Sequence, residues 1–243
     1  MTAIIVGASS GLGRALAGEL AQRGHPLLLI ASDARDLQAL AADLALRHEV
    51  EVATLAMDLA REVDPGARIL AALASLPPAT ALLLPAGLSR RDDAFGLGAG
   101  AIGELLAINL HAPLAIVHAL LPMLCERHAT VVLFGSIAAV RGRGHNVVYA
   151  SAKRALESAY ESLRQAHAPD VLHVQLYRLG FLATNLTWGL RLPLSPAAPA
   201  TVARRVVARL GKGSFKRYLP RRFALVALLL RALPWFVFRR LRG

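Results

Sequence analysis

The sequence predicts an α/β fold, a doubly wound parallel sheet with helices on both faces, followed by a C-terminal apolar and basic tail. Three observations predict it. Apolar runs alternate with helical patterns along most of the chain. Several of those runs, such as LLLIA and VVLFG, are apolar without interruption, and the first passes straight into a glycine-rich turn. A strand that is apolar at every position is covered on both faces, as parallel strands between helical layers are. Their alternation with helices is the pattern of a doubly wound sheet.

In chain order the strands fall at 3–6, 26–31, 51–56, 81–85, 130–135 and 171–178. Helical patterns lie near 12–23, 34–47, 60–74, 99–127 and 147–167. The segment 195–200, rich in proline and alanine, reads as a loop before a helix near 200–210, and 216–219 reads as a short last strand. No internal repeat is present. Residues 1–219 form one domain, and 220–243 form an appendage.

Composition narrows the class. At 55% apolar content over 243 residues, the chain can bury a sizeable core. Cys125 is the only cysteine, so no internal disulfide and no multi-cysteine metal site can form, which fits a reducing, cytoplasmic setting. The start, MTAIIVGASSGLG, has neither a basic opening nor a long apolar stretch, so it reads as a buried strand and not as a secretory signal. Charge is uneven. Residues 201–243 carry 12 of the 28 lysines and arginines and none of the 16 acids. A neutral body with a basic, apolar tail points to the inner face of a membrane, held peripherally, and not to nucleic acid. The apolar core of the tail, 223–238, is 16 residues long and interrupted by Arg231 and Pro234, shorter than the roughly 20 residues that cross a bilayer. Packing on the body or on a partner subunit is the competing reading.

The turn V-G-A-S-S-G-L-G spans the gap between first strand and first helix. Gly7 permits a tight turn, and Gly11 and Gly13 allow backbone to approach a pyrophosphate and the helix to pack on the sheet. The helix N-terminus then offers free N–H groups and positive potential to phosphate. Asp58, after the third strand, suits accepting from an adenine amino group or capping the next helix.

Tyr149 and Lys153 stand four apart in V-V-Y-A-S-A-K, on one face of a helix. Ser136 ends the run VVLFG 13 residues earlier, and Asn109 lies in the long helix before it. With the G-x-x-x-G-x-G turn, this constellation resembles the short-chain dehydrogenase/reductase family over about residues 3–190. The resemblance implies a Rossmann-type fold, a homo-oligomer and hydride transfer between NAD(P)(H) and a small-molecule carbonyl or alcohol. Tyr149 would be the general acid/base, its pKa lowered by the Lys153 cation. Ser136 would hold the carbonyl oxygen, Lys153 the nicotinamide ribose, and Asn109 a relay water. Cofactor contacts would come from Gly7, Ser9, Ser10, Gly11, Leu12 and Gly13, from Asp58 and Leu59, and from Ala86, Gly87, Tyr149, Lys153 and Thr184.

The chain departs from the family at several points. Val6 stands where threonine is common, and L-P-A-G (residues 84–87) replaces N-N-A-G, so Pro85 supplies neither an amide side chain nor an N–H. Leu179-Gly180 replaces P-G. At the end of strand two, Ala31 removes the acid that would select NAD, and Ser32 with Arg35 favours NADP(H), although Asp33 argues the other way. Arg14 is a further phosphate candidate.

On the substrate side, R-G-R-G-H (residues 141–145) reads as a phosphate or carboxylate clamp, or as a solvated turn. The apolar loop 184–194, with Trp188, reads as a lid, or as core packing around the indole. The tail also resembles that of bacterial reductases acting on lipid-linked ketosugars such as decaprenylphosphoryl 2-keto-pentose. That likeness implies a hydrophobic or lipid-linked substrate. A non-catalytic nucleotide-binding scaffold on the same fold would not need Ser136, Tyr149 and Lys153 together.

Overall fold

The computed structural model describes residues 2–189 and 193–240. Seven parallel strands form one sheet in the order β3-β2-β1-β4-β5-β6-β7. They are β1 (Thr2–Val6), β2 (Leu27–Ala31), β3 (Val52–Ala56), β4 (Ala79–Leu84), β5 (Thr130–Ser136), β6 (His173–Leu179) and β7 (Phe215–Leu219). Strand order reverses between β1 and β4, so a crevice opens there at the C-terminal strand ends.

Helices α1 (Gly11–Ala21), α2 (Ala34–His48) and α7 (Pro199–Val207) cover one face. The other face carries α3 (Pro65–Leu73), α4 (Ala99–Leu106), α5 (Ala112–Glu126) and α6 (Val147–Ala166). β1 shows why its run is apolar throughout. Ala3 and Ile5 enter the core under α1, while Ile4 and Val6 enter the opposite core. Each fully buried Ile or Leu contributes roughly 1.5–3 kcal/mol.

Two expectations shift. The helix expected from 60 begins at Pro65, because Asp64 accepts from the N–H of Ala67 at 2.9 Å and Pro65 fits the first turn, where an N–H would go unused. The long helix expected over 99–127 is divided by a π-turn at Ala107–His111. By length and hydropathy alone the run Ala99–Glu126 is apolar enough to cross a membrane. Here Leu105, Ile116, Val117, Leu120 and Leu124 face the interior, so it serves as a layer helix.

The appendage packs on the body through one side. α8 (Arg222–Ala232) ends before Pro234, and a short α9 (Trp235–Phe238) follows. Phe223 and Ala227 are buried against Ile137 and Val140. A Cβ on Gly180 would lie 2.1 Å from the Phe223 ring, so the glycine after β6 makes room for α8. The opposite side is open: Leu225, Leu228, Leu229, Trp235 and Phe236 are all exposed.

Candidate active site

Two cavities meet at the C-terminal ends of the strands. The first, about 310 Å³, is an open trough walled by the glycine turn, the ends of β2 and β3, the loop after β4 and helix α6. The second, about 180 Å³, lies beyond it under Ser136, Ile137, Phe181 and Leu182. Tyr149 borders both. Lys153 borders only the trough, and Ser136 only the smaller cavity.

The trough is built from the backbone outward. Gly7 has φ +96, and a Cβ there would meet the Ala86 Cα at 2.7 Å. A Cβ on Gly13 would lie 1.8 Å from the Gly7 carbonyl oxygen, so the turn and the first helical turn can close only on glycine. Ser10 precedes α1 without making a side-chain cap bond, so the first N–H groups of that helix have no side-chain cap. An anion fits such an end. The lining includes Ser9, Ser10, Gly11, Leu12, Ser32, Asp58, Leu59, Ala86, Gly87 and Thr184, all anticipated from sequence. This open, phosphate-ready trough, running from the end of β2 to Lys153, fits a nicotinamide dinucleotide.

Four of the residues weighed for the cofactor need correction or refinement. Arg35 does not border the trough; it sits in the first turn of α2, on the outer surface with Asp36 and Gln38. Asp33 is occupied as the cap of α2, accepting from the N–H groups of Arg35 at 2.9 Å and Asp36 at 3.0 Å. Arg14 folds back so that its Nε donates to the Ser9 carbonyl at 2.9 Å. Asp58 lines the trough and accepts from Ala60 N–H at 3.0 Å within the turn after β3; it does not cap the next helix, whose N-cap is Asp64.

Helix α6 carries the Tyr149/Lys153 pair. Lys153 is buried, with its Nζ 5.8 Å from the Tyr149 ring centroid. Burial pulls the Lys153 ammonium down to about 8. Burial also pushes the Tyr149 phenol above its ordinary value, while the neighbouring Ser136 hydroxyl acts in the opposite direction. The sequence argument expected the lysine cation to lower the phenol. That lowering is not found: burial raises the phenol, and only the Ser136 hydroxyl acts against it. Ser136 Oγ also accepts from the N–H of Ala138 at 3.1 Å.

Asn109 lies in the π-turn and is fully buried. Its amide donates to the carbonyls of Leu88 at 2.8 Å and Leu105 at 2.9 Å, and its Oδ1 accepts from Leu88 N–H at 3.2 Å. The side chain therefore pins the loop after β4 behind Gly87, and it borders neither cavity. Both amide hydrogens are spent, so only Oδ1 or the backbone could face a water.

Other expectations resolve differently. Arg141 is neither a clamp nor solvated; its guanidinium donates to the carbonyls of Leu230 (2.9 Å) and Leu233 at the end of α8, and stacks 3.9 Å over the Phe238 ring. Trp188 is 83% exposed, which excludes core packing; Thr184 and Leu186 are the loop residues that border both cavities. Residues 190–192 of that loop lie outside the described residues.

Sequence reasoning missed two supports of α6. Buried Asp93 accepts from the N–H groups of Val148 and Tyr149, each at 2.9 Å, and so caps the helix from a distant loop. Buried Glu157 forms a two-pronged ion pair with Arg178 of β6, which also donates to the Tyr218 hydroxyl at 2.8 Å. Neither has a local signature, because both partners come from remote segments.

Residues 1–194 match the family described as short chain dehydrogenase. The chain is 29% identical to the dehydrogenase/reductase SDR family member 7B of Bos taurus, over 98% of this chain and 79% of the relative. It is 27% identical to the 3-oxoacyl-(acyl-carrier-protein) reductase of Bos taurus, over 75% of this chain and 76% of that one. Among solved structures, a short-chain dehydrogenase of Sphingobium yanoikuyae in complex with NADPH shares the fold with TM-score 0.82, at 24% identity and 96% coverage of each chain. A structure from work on 7β-hydroxysteroid dehydrogenase stereoselectivity shares it with TM-score 0.86, at 16% identity and 98% and 95% coverage. With the glycine turn, the reversal of strand order and this match along residues 1–194, the protein belongs to the short-chain dehydrogenase/reductase family of NAD(P)-dependent oxidoreductases.

Proposed function

We propose that the protein reduces the carbonyl of a hydrophobic or lipid-linked substrate, with Tyr149 as the general acid/base and NADPH preferred. The observation that carries this reading is that Tyr149 is the one ionisable side chain bordering both cavities. A nicotinamide cofactor in the trough would supply the hydride. Tyr149 then holds the proton that the resulting oxyanion takes, and Ser136 orients the carbonyl oxygen in the smaller cavity. Lys153, on the trough side, holds the cofactor end of the site and favours loss of the phenol proton when it is charged. Apolar walls from Ile137, Phe181, Leu182 and Leu186 suit a hydrocarbon substrate. Relatives named as 3-oxoacyl reductases act on acyl chains and support the same class.

Ser32 and the absence of an acid at position 31, which is alanine, support NADPH, because Asp58 is the only carboxylate in the trough lining. Arg35 no longer contributes to that argument.

The exposed apolar side of α8 and α9, flanked by exposed Arg221, Arg222, Arg231, Arg239 and Arg240, supports peripheral attachment to an anionic bilayer. A basic cleft beside α8, with Arg205, Arg209, Lys212 and Arg217, extends the positive surface. With 11 residues, α8 is roughly 16 Å long, too short to span.

The test is NADPH oxidation with a 3-oxoacyl thioester and a medium-chain ketone. Tyr149→Phe should lower kcat by about 10²-fold or more and leave cofactor binding nearly intact. Near-normal turnover by that variant would remove Tyr149 from the chemistry.

A further inference from the structure

Arg141, Arg143 and Arg154 line the groove beside the cavity of Ser136 and Tyr149, and two of them have partners. Arg141 is committed to the carbonyls ending α8, and Arg154 donates to the carbonyls of Ala139 at 2.8 Å and Val140 at 3.2 Å. Arg143 is half-buried, yet among the described residues it makes no hydrogen bond and no ion pair. It borders the cavity of Ser136 and Tyr149 on one side. On the other it borders a groove of about 970 Å³ that runs to Phe95, Trp235, Phe238 and Arg239. It does not border the cofactor trough. Elsewhere the same protein treats a buried arginine differently, since Arg178 is paired with Glu157 and satisfied by Tyr218.

We propose that Arg143 is a specificity-determining residue that binds an anionic substituent of the substrate, a phosphate or a carboxylate carried close to the reacting carbonyl. This rests on the reading of the smaller cavity as the carbonyl site. A guanidinium held partly out of water without a counter-charge is costly, and an oxyanion in the adjoining cavity would offset that cost with charge-assisted bonds. Burial also pulls the Arg143 pKa below its ordinary value, with no acidic neighbour acting against the shift. The position fixes the order of groups along the substrate. The carbonyl lies at Ser136 and Tyr149, the anion follows at Arg143, and the remaining chain continues in the groove toward the aromatic side chains of α9. A neutral ketone would fill the first cavity and leave Arg143 unpaired. Discrimination therefore falls on the substituent next to the carbonyl and not on the carbonyl itself.

The experiment measures binding separately from chemistry. Tyr149→Phe enzyme, loaded with NADP⁺, is titrated calorimetrically with two matched pairs. One is a medium-chain α-hydroxyketone and its phosphate monoester, the other an α-keto acid and its methyl ester. The expected result is tighter binding of the phosphate, the carboxylate or both over the neutral partner, by about 10-fold or more. Adding Arg143→Gln should erase that preference and change the neutral probes by less than about twofold, while Arg143→Lys retains part of it. Because Arg143 has no protein partner to lose, the Gln variant should keep its thermal midpoint. Preference for one anion alone identifies which group the site takes. Equal binding of anionic and neutral probes overturns the proposal, as does an equal loss for both in Arg143→Gln. In a parallel assay with NADPH as hydride donor, turnover of the keto probes by Tyr149→Phe would overturn the acid/base reading and leave the Arg143 result standing.

Discussion

Replacing Asp93 by asparagine tests how the helix that carries Tyr149 is held. The first four N–H groups of a helix have no partner inside it. In α6, Val147 N–H reaches the Asp93 carbonyl at 3.5 Å, Val148 and Tyr149 reach the two carboxylate oxygens at 2.9 Å, and Ala150 reaches the Asn146 carbonyl at 2.9 Å. Asn146 itself has φ 55 and makes no side-chain cap bond. Asp93 thus supplies three of the four partners from a loop 55 residues upstream, and it is 1% exposed. Asparagine keeps the shape but only one acceptor. Either Val148 or Tyr149 then points its N–H at an amide NH₂, and one charge-assisted bond, worth about 1.5–3 kcal/mol, is lost. The interaction of the carboxylate with the helix dipole weakens as well, by up to about 1 kcal/mol. The expected destabilisation is about 3 kcal/mol, or a fall in thermal midpoint of roughly 6–12 °C at this chain length. Tyr149 lies in the frayed turn, so kcat should fall by about tenfold while NADPH affinity changes little. Calorimetry, steady-state kinetics and amide exchange of the first turn of α6 measure the three effects. An unchanged midpoint, or a lower midpoint with no faster exchange at Val148 and Tyr149, would refute this account of the cap.

Lys153 has a folded-state pKa of about 8 against an ordinary 10.5, so between about pH 8 and 10 the unfolded chain binds more protons and stability rises with pH, by up to about 1.4 kcal/mol per unit. Above about 10 the buried phenols of Tyr149 and Tyr177, held above their ordinary values, reverse the slope. Urea unfolding across this range should show the rise in the ligand-free wild type and a flat response in Lys153→Met. Ser32→Asp should place a carboxylate in the trough and reduce NADPH affinity by about tenfold or more, whereas Arg35→Ala should change it less than about twofold; fluorescence titration decides. For the tail, truncation at Pro220 would uncover Gly180 and Ile137 as well as remove the exposed apolar side of α8 and α9, so substitution of exposed residues is the cleaner perturbation. Leu225→Gln/Leu228→Gln/Phe236→Gln, at exposed positions that border neither cavity nor groove, should keep activity and lose co-sedimentation with anionic liposomes, and unchanged partitioning would count against membrane attachment.

What the sequence determined by itself is what neighbouring residues decide. Uninterrupted apolar runs require cover on both faces, which makes the strands parallel and interior. Gly7 and Gly13 mark a turn that closes only without a Cβ, and helical spacing puts Tyr149 beside Lys153. Those local rules reached the fold class and the glycine turn, and the family resemblance supplied most of the trough lining. They could not tell which way a long side chain turns. Arg141, Arg143 and Arg35 look alike on paper; one caps α8, one borders the cavity of Ser136 and Tyr149, and one faces outward. The caps and ion pairs under α6 were equally invisible, since Asp93 and Arg178 meet their partners across 55 and 21 residues. Only the tertiary structure divides the tail into a buried side around Phe223 and an open apolar side. An apolar residue carries the same transfer free energy wherever it lies, and the packing around it decides whether protein or another phase covers it.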